Sequence, residues 1–263
     1  MLKGLYTAYT GMLNEQNRMD VLTNNLANSD TVGFKKEGAT SQSFDSVLVD
    51  KIKDDSESYA VARRIGVANP GVKIGEGYTD FSQGAFQVTS NTYDLALGGE
   101  GFFTIEFTNK EGETSTLYTR DGNFQVTSDG YLVTTDGDYV LGVGPNNSTQ
   151  RLRLDPDAEV VVREDGSIYQ NDRLVGQIKI TDFADYNYLE HYGENYFVPV
   201  EGAEPRNATD CKVFQGYLET SNVSIVSEMV NMISVSRQYE ANQKLIQTYD
   251  TSLEIAANQL GKV

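Results

Sequence analysis

YTRDGNFQVTSDGYLVTTDGDYVLG (Tyr118–Gly142) sets apolar against polar residues in short runs, NFQVT and YLVTT, broken by Asp121-Gly122, Asp129-Gly130 and Asp136-Gly137. A period of two places alternate side chains on opposite faces of a strand. Asp-Gly is a hairpin signal, because a type I′ turn needs positive φ at both central residues. The same alternation continues upstream in GFFTIEFT (101–108) and downstream in EVVVRE (159–164), SIYQ (167–170) and QIKIT (177–181), with a fourth Asp165-Gly166 pair. The expectation is a mainly β central domain, antiparallel and sandwich- or barrel-like. Nearer the N-terminus, FDSVLVDKI (44–52) fits either a short helix or an extended segment. DDSESYAVARRIGVANPG (54–71) reads as a polar loop with a basic pair.

Outward from this centre the period changes. Leu2, Leu5, Tyr9, Met12, Gln16, Met19, Thr23 and Leu26 alternate spacings of three and four, a heptad seam with two polar interruptions. NSDTVG, with Gly33 free to take positive φ, stops that helix near Asn28. At the other end Asn222 or Ser224 can cap a helix. Its stripe opens with Val226, Met229, Val230 and Ile233, passes Tyr239 and continues through Leu245, Ile246, Tyr249, Leu253, Ala256 and Leu260 to a stop at Gly261. At 1.5 Å per residue the two helices run about 40 and about 55 Å. The expected fold class is therefore the β domain with long N- and C-terminal α-helices pairing as a coiled coil. Stripes of that length need partners, either each other or other chains.

Composition narrows the function. The 263 residues carry 21 basic and 38 acidic side chains, a net charge of −17, which phosphate backbones and anionic lipid repel. Nucleic acid is excluded as a partner, and no run approaches the roughly 18 apolar residues of a membrane span. Lys3, Arg18, Lys35 and Lys36 against Glu15, Asp20 and Asp30 leave residues 1–36 at +1. Arg237, Lys244 and Lys262 against Glu228, Glu240, Asp250 and Glu254 leave 221–263 at −1. The negative charge thus belongs to 37–220, as do all five prolines. The opening MLKGLYTAYTGMLNEQ lacks an apolar block with a small-residue cleavage site, so a Sec signal is not expected.

No catalytic constellation emerges. LGGEGFF (97–103) opens a strand rather than a helix, so it reads as a tight turn and not a phosphate loop. The Asp-Gly pairs and Asp155–Asp157 lack the spacing of a calcium-binding hand. His191 has no identifiable base or metal partner and reads as a surface or packing residue. Cys211, the one cysteine, would need a positioned base to act as a nucleophile. No catalytic residue, metal ligand or cofactor is expected.

NNLANSDTVGFK (Asn24–Lys35) resembles the N-terminal signature of bacterial flagellar rod, hook and hook-associated proteins. Asn24, Asn25, Asn28, Gly33, Phe34 and Lys35 carry the likeness. YDLALGGEGFFTIE (Tyr93–Glu106), Tyr118–Gly142 and GENYFVP (Gly193–Pro199) resemble the central β region of that family. Residues Gly216–Asp250, opening GYLETSN, look like the C-terminal helix of the distal rod type; the opening MLKGLYTA keeps the proximal relative open. The resemblance implies a structural, non-enzymatic subunit of the basal-body rod, a drive shaft that passes torque from motor to hook. It implies self-assembly with copies and other rod and hook axial proteins, passage through the flagellar type III export apparatus, and leaves ring (bushing) proteins open as partners.

On that reading 1–36 is the N-terminal helix and turn of an inner tube, 37–92 is a linking extended or loop region, 93–220 is the central β domain, and 221–263 is the C-terminal helix of the tube. The assembly set is Leu2, Leu5, Tyr9, Met12, Met19 and Leu26 with Val226, Met229, Ile233, Tyr239, Ile246, Leu253 and Leu260. The rival readings are a secreted adhesin or binding module, which would work without 1–28 and 224–263, and a glycan-acting β-domain enzyme, which would need a cleft with paired carboxylates.

Overall fold

A computed structural model describes residues 2–51, 63–109, 112–144, 148–156, 158–193, 195–208 and 210–260. They form two compact units: residues 1–26, 37–78 and 225–263 in one, residues 27–36 and 79–224 in the other.

The second unit is an antiparallel β structure with one 3-10 turn, Tyr186–Tyr188, built around the strand Phe102–Thr108. That strand pairs with Thr114–Thr119, Tyr139–Val143 and Ile180–Phe183. Its sequence FFTIEFT opens with apolar residues at consecutive positions, so both of its faces are covered. Phe103 and Ile105 join a cluster with Leu117, Phe124, Val140 and Ile178. Phe102, on the opposite face, joins Tyr118, Phe183, Leu189 and Phe197. Buried Thr104 is satisfied by a 2.9 Å hydroxyl pair with Thr181. Two short ladders tie in the last strands: Lys212–Gln215 on Leu95–Gly98, and Tyr217–Glu219 on Phe86–Val88.

The Asp-Gly pairs locate turns but not the turn type expected. At Thr127–Tyr131, Thr134–Asp138 and Arg163–Ser167 the backbone repeats one pattern. The first residue's N–H donates to the fifth residue's carbonyl, and the glycine N–H donates back to the first residue's carbonyl. Gly130, Gly137 and Gly166 have φ of +83°, +96° and +79°, while the aspartates before them do not take positive φ. These are three-residue loops with glycine in the left-handed region, not two-residue type I′ turns. Consecutive positive φ occurs instead at Asn171 and Asp172, between the strands Ser167–Gln170 and Arg173–Ile178. Asp121-Gly122 makes no such loop; Gly122 is pressed against the Leu95 carbonyl, where no side chain fits.

In the first unit Val47–Lys51 is a strand, which decides the ambiguous segment, and it pairs with Arg63–Ala68. The expected polar loop is therefore partly sheet; its residues 54–62 lie outside the described ones. A second ribbon joins Glu37–Ser43 to Val72–Thr79. The helices are α1 (Leu2–Ala27) and α2 (Ile225–Ile255), the latter continued by a π-helical turn, Ala256–Leu260. Both lie close to the expected bounds, and Gly261 lies outside the described residues.

The expected long coiled-coil pairing of the two ends is not found, and the reason lies in which faces are covered. The helices approach at Gly4 against the Tyr249 ring and at Gly11, whose Cβ would lie 3.1 Å from the Asn242 amide. They meet again at Glu15, whose carboxylate lies 3.1 Å from the Gln238 side-chain amide. The buried positions are Ala8, Asn14, Glu15 and Asn25 on α1, and Glu228 and Val235 on α2. Small and polar residues permit close approach or make hydrogen bonds, as Asn14 does to Ser41 at 3.0 Å. The expected apolar seam is rotated off this face. Tyr9, Val226, Met229, Ile233 and Leu253 are exposed, Val226 by 73%. Leu5, Met12, Met19, Leu26, Tyr239 and Ile246 are half-buried. Nothing is described of the side chains of Leu2 and Leu260.

Ile105 is wholly enclosed in the larger cluster. Ile105→Ala is expected to cost about 2–5 kcal/mol, seen as a lower urea midpoint with an unchanged slope; an unchanged midpoint would contradict this burial.

Candidate functional site

The described residue with the densest buried polar chemistry is Glu219, in the motif GYLETSN, and it gathers the family-like motifs around it. Two cations meet its carboxylate. Lys35 Nζ donates to Oε1 at 2.6 Å and Arg120 Nη1 donates to Oε2 at 3.3 Å. All three side chains are at most 3% exposed. The Gly84 N–H adds a bond to Oε1 at 2.9 Å. Lys35 also donates to the Ser82 carbonyl at 2.8 Å, and Arg120 Nη2 to the Gly99 carbonyl at 2.8 Å. The Arg120 guanidinium lies 5.2 Å from the centre of the Phe102 ring. Burial holds the Lys35 ammonium below the usual lysine range, and Glu219 opposes that shift.

The approach of Lys35 is fixed by its neighbours. The Gly33 N–H donates to the Glu219 carbonyl at 2.8 Å. Gly33 takes φ +71°, and a Cβ there would lie 2.6 Å from the Arg120 carbonyl carbon, so only glycine fits. Phe34 is buried and meets His191 edge-on at 6.0 Å, and His191 in turn meets Phe197 at 5.0 Å. His191 is thus a packing residue. The Lys36 N–H donates to Asn222 Oδ1 at 2.8 Å, and Asn222 Nδ2 donates to the Asp80 carbonyl at 2.7 Å. In the other unit, Asn25 bridges chain twelve residues apart: its amide donates to the Glu37 carbonyl at 2.7 Å and accepts from the Glu37 N–H at 2.9 Å. Asn28 accepts from the Thr31 hydroxyl and N–H, shaping the turn, while Asn24 is exposed.

Of the motif residues expected to matter, Gly33, Phe34 and Lys35 converge on one place, and Asn25 acts at the loop closure. Arg120 and Glu219 were missed, and Asn222, read as a possible helix cap, uses its side chain instead to hold Lys36 and Asp80. Arg120 and Glu219 lie 99 residues apart, and only burial reveals that they share a charge. Cys211 lies beside this cluster, and burial pushes its thiol up to about 11, the opposite of what a nucleophile needs. The arrangement stores no reactive group toward a cleft. Its chemistry is that of a structural clamp joining residues 33–36, 99, 120 and 219–222.

Next to the clamp, Asp121 accepts from the Asn123 N–H and from Asn195 Nδ2, both at 2.9 Å. Burial raises its carboxyl to about 6, with Asp136 and Asp94 adding to the shift.

Three family models match in chain order. "Flagella basal body rod protein" covers residues 5–35, "Flagellar hook protein FlgE/F/G D1 domain" covers 96–170, and "Flagellar basal body rod FlgEFG protein C-terminal" covers 215–260. Among relatives, the flagellar basal-body rod protein FlgG of Caulobacter vibrioides is 35% identical over 98% of this chain and 99% of its own length. The FlgG of Bacillus subtilis is 32% identical over 98% of this chain and 99% of its own. The rod protein FlgF of Caulobacter vibrioides is 31% identical over the full length of both.

Glu219→Gln keeps the shape but leaves two buried cations without their anion. It is expected to lower stability by about 3–5 kcal/mol, measured by urea unfolding; an unchanged midpoint would contradict the clamp. Asp121 gives a pH effect of known sign. Because its folded carboxyl titrates above the unfolded value of 3.8, stability falls as pH rises from about 4 through about 6. Asp121→Asn should flatten that part of the stability–pH curve, and an unchanged slope there would rule the effect out.

Proposed function

The chain belongs to the family of flagellar basal-body rod proteins, and from that premise we propose that it builds the rod through apolar helix surfaces that it does not itself cover. It is a structural subunit of the rod in the flagellar basal body and assembles with other rod and hook components. The observation that carries the mode of assembly is the exposed stripe Val226, Met229, Val230 and Ile233 on α2, with Tyr6, Tyr9 and Leu13 exposed on α1. Aliphatic side chains spaced three and four apart on one helix, each about half exposed or more, are a face made for another protein surface.

In this reading residues 1–36 and 221–263 supply the tube-forming segments, 37–92 is the linking region that follows the first of them, and 93–220 is the β domain. The remaining assembly residues are Leu2, Leu5, Met12, Met19 and Leu26 on α1, with Tyr239, Ile246, Leu253 and Leu260 at the other end. Those described as half-buried add contact area at the edges of the exposed faces. Near-neutral ends suit a crowded array, and the acidic middle carries the charge that keeps the surface solvated. Many simultaneous contacts give the stiffness needed to pass torque. No enzymatic step is assigned. The flagellar type III export apparatus is the proposed route to the rod, and ring proteins are further proposed neighbours. Among the described residues no helix is long and apolar enough to cross a membrane.

Met229→Asp with Ile233→Asp tests the reading. Both positions are exposed, so the purified chain should keep its helical content and unfolding midpoint, while cells relying on it fail to swim and their basal bodies lack it. Normal swimming with the doubly charged stripe would overturn the proposal.

A further inference from the structure

Within the first unit, a groove of about 370 Å³ opens between α1 and the β ribbon, lined by Tyr6, Val47, Leu48, Val49, Ala68 and Pro70. Its size falls in the range of binding pockets. Its walls are tied in place: the Phe44 N–H donates to the Gly71 carbonyl at 3.0 Å, the Gly71 N–H to Asn69 Oδ1 at 3.0 Å, and the Thr7 hydroxyl to the Pro70 carbonyl at 3.5 Å. Val47 and Leu48 nevertheless remain 57% and 56% exposed, so the chain's own helices do not fill it.

Resting on the reading above, we propose that this groove receives the Val226–Ile233 ridge of α2 from a second copy of the chain. The two surfaces match in shape class: a ridge with apolar side chains at i, i+3, i+4 and i+7 enters an apolar trough. They also match in charge at one end. Arg237 follows Ile233 by one helical turn, and Asp45 precedes Val47 by two residues. Both are exposed, and among the described residues neither takes part in an ion pair. A Leu48–Val230 contact between copies would therefore set Arg237 beside Asp45. Ridge and groove are different surfaces of the same chain, so each copy offers one and accepts the other. A heterologous contact of this kind propagates along an open assembly wherever its rotation does not close a ring.

Cross-linking between two marked copies tests this directly. Cys211→Ser removes the native thiol. Cells then produce two chains on that background, one with Leu48→Cys and one with Val230→Cys, and isolated basal bodies are oxidised with copper phenanthroline. A disulfide-linked dimer is expected from the mixture and from neither variant alone. Arg237→Asp on the Val230→Cys chain should lower the dimer yield about fivefold, and Asp45→Arg on its partner should restore it.

Basal bodies that contain both chains yet give no mixed dimer would overturn the pairing. So would a yield indifferent to the charge reversals. Absence of even the plain Cys211→Ser chain from basal bodies would instead overturn the rod assignment on which the pairing rests.

Discussion

A single carboxylate, that of Glu219, holds two buried cations that reach it from distant parts of the sequence. Lys35 arrives from the segment after the first helix, and Arg120 from a loop between strands of the central sheet. An anion with no solvent access cannot stay charged without partners, and neither can the cations. The three therefore stand or fall together. Around them the backbone is equally constrained: Gly33 donates to the Glu219 carbonyl, and Lys36 bonds to Asn222. The segments just after α1 and just before α2 in sequence are thus fastened to one another. The price of burying three charges is high, and what it secures is a unique register between those segments.

The helices follow a different logic. Their covered faces carry Gly4, Ala8, Gly11 and Glu15, with Asn242, Gln238 and Tyr249 opposite. Close approach and polar contacts hold them there, with Val235 the one fully buried aliphatic side chain described on α2. As a result Val226, Met229, Val230 and Ile233 are left in water. At about 25 cal/mol per Å² of apolar surface, that exposure disfavours the lone chain and favours association.

How far the sequence was legible varies element by element. Period two in FFTIEFT and period three-to-four at both ends were enough to place strands and helices, because covered faces leave an apolar rhythm. The Asp-Gly pairs marked turns, but a glycine in the left-handed region serves a three-residue loop as well as a two-residue one, so the type was hidden. The helix seam was misread for a physical reason: an apolar stripe reports that a face wants covering, not that the same chain covers it. Lys35 stood inside a recognisable motif, yet its function depended on Glu219 and Arg120, and no local pattern reveals which distant charges share a buried site. Gly33 was picked for its freedom of φ, whereas the close approach of the Arg120–Asp121 backbone requires glycine just as strictly.

The central claim is that the chain leaves an apolar helix face for its neighbours in the rod. The most direct measurement is a density map of isolated basal bodies at side-chain resolution, with this subunit traced. The account predicts that Val226, Met229, Val230 and Ile233 of every interior copy lie against protein from adjoining subunits. Finding that stripe facing solvent or an open lumen throughout the rod would contradict it.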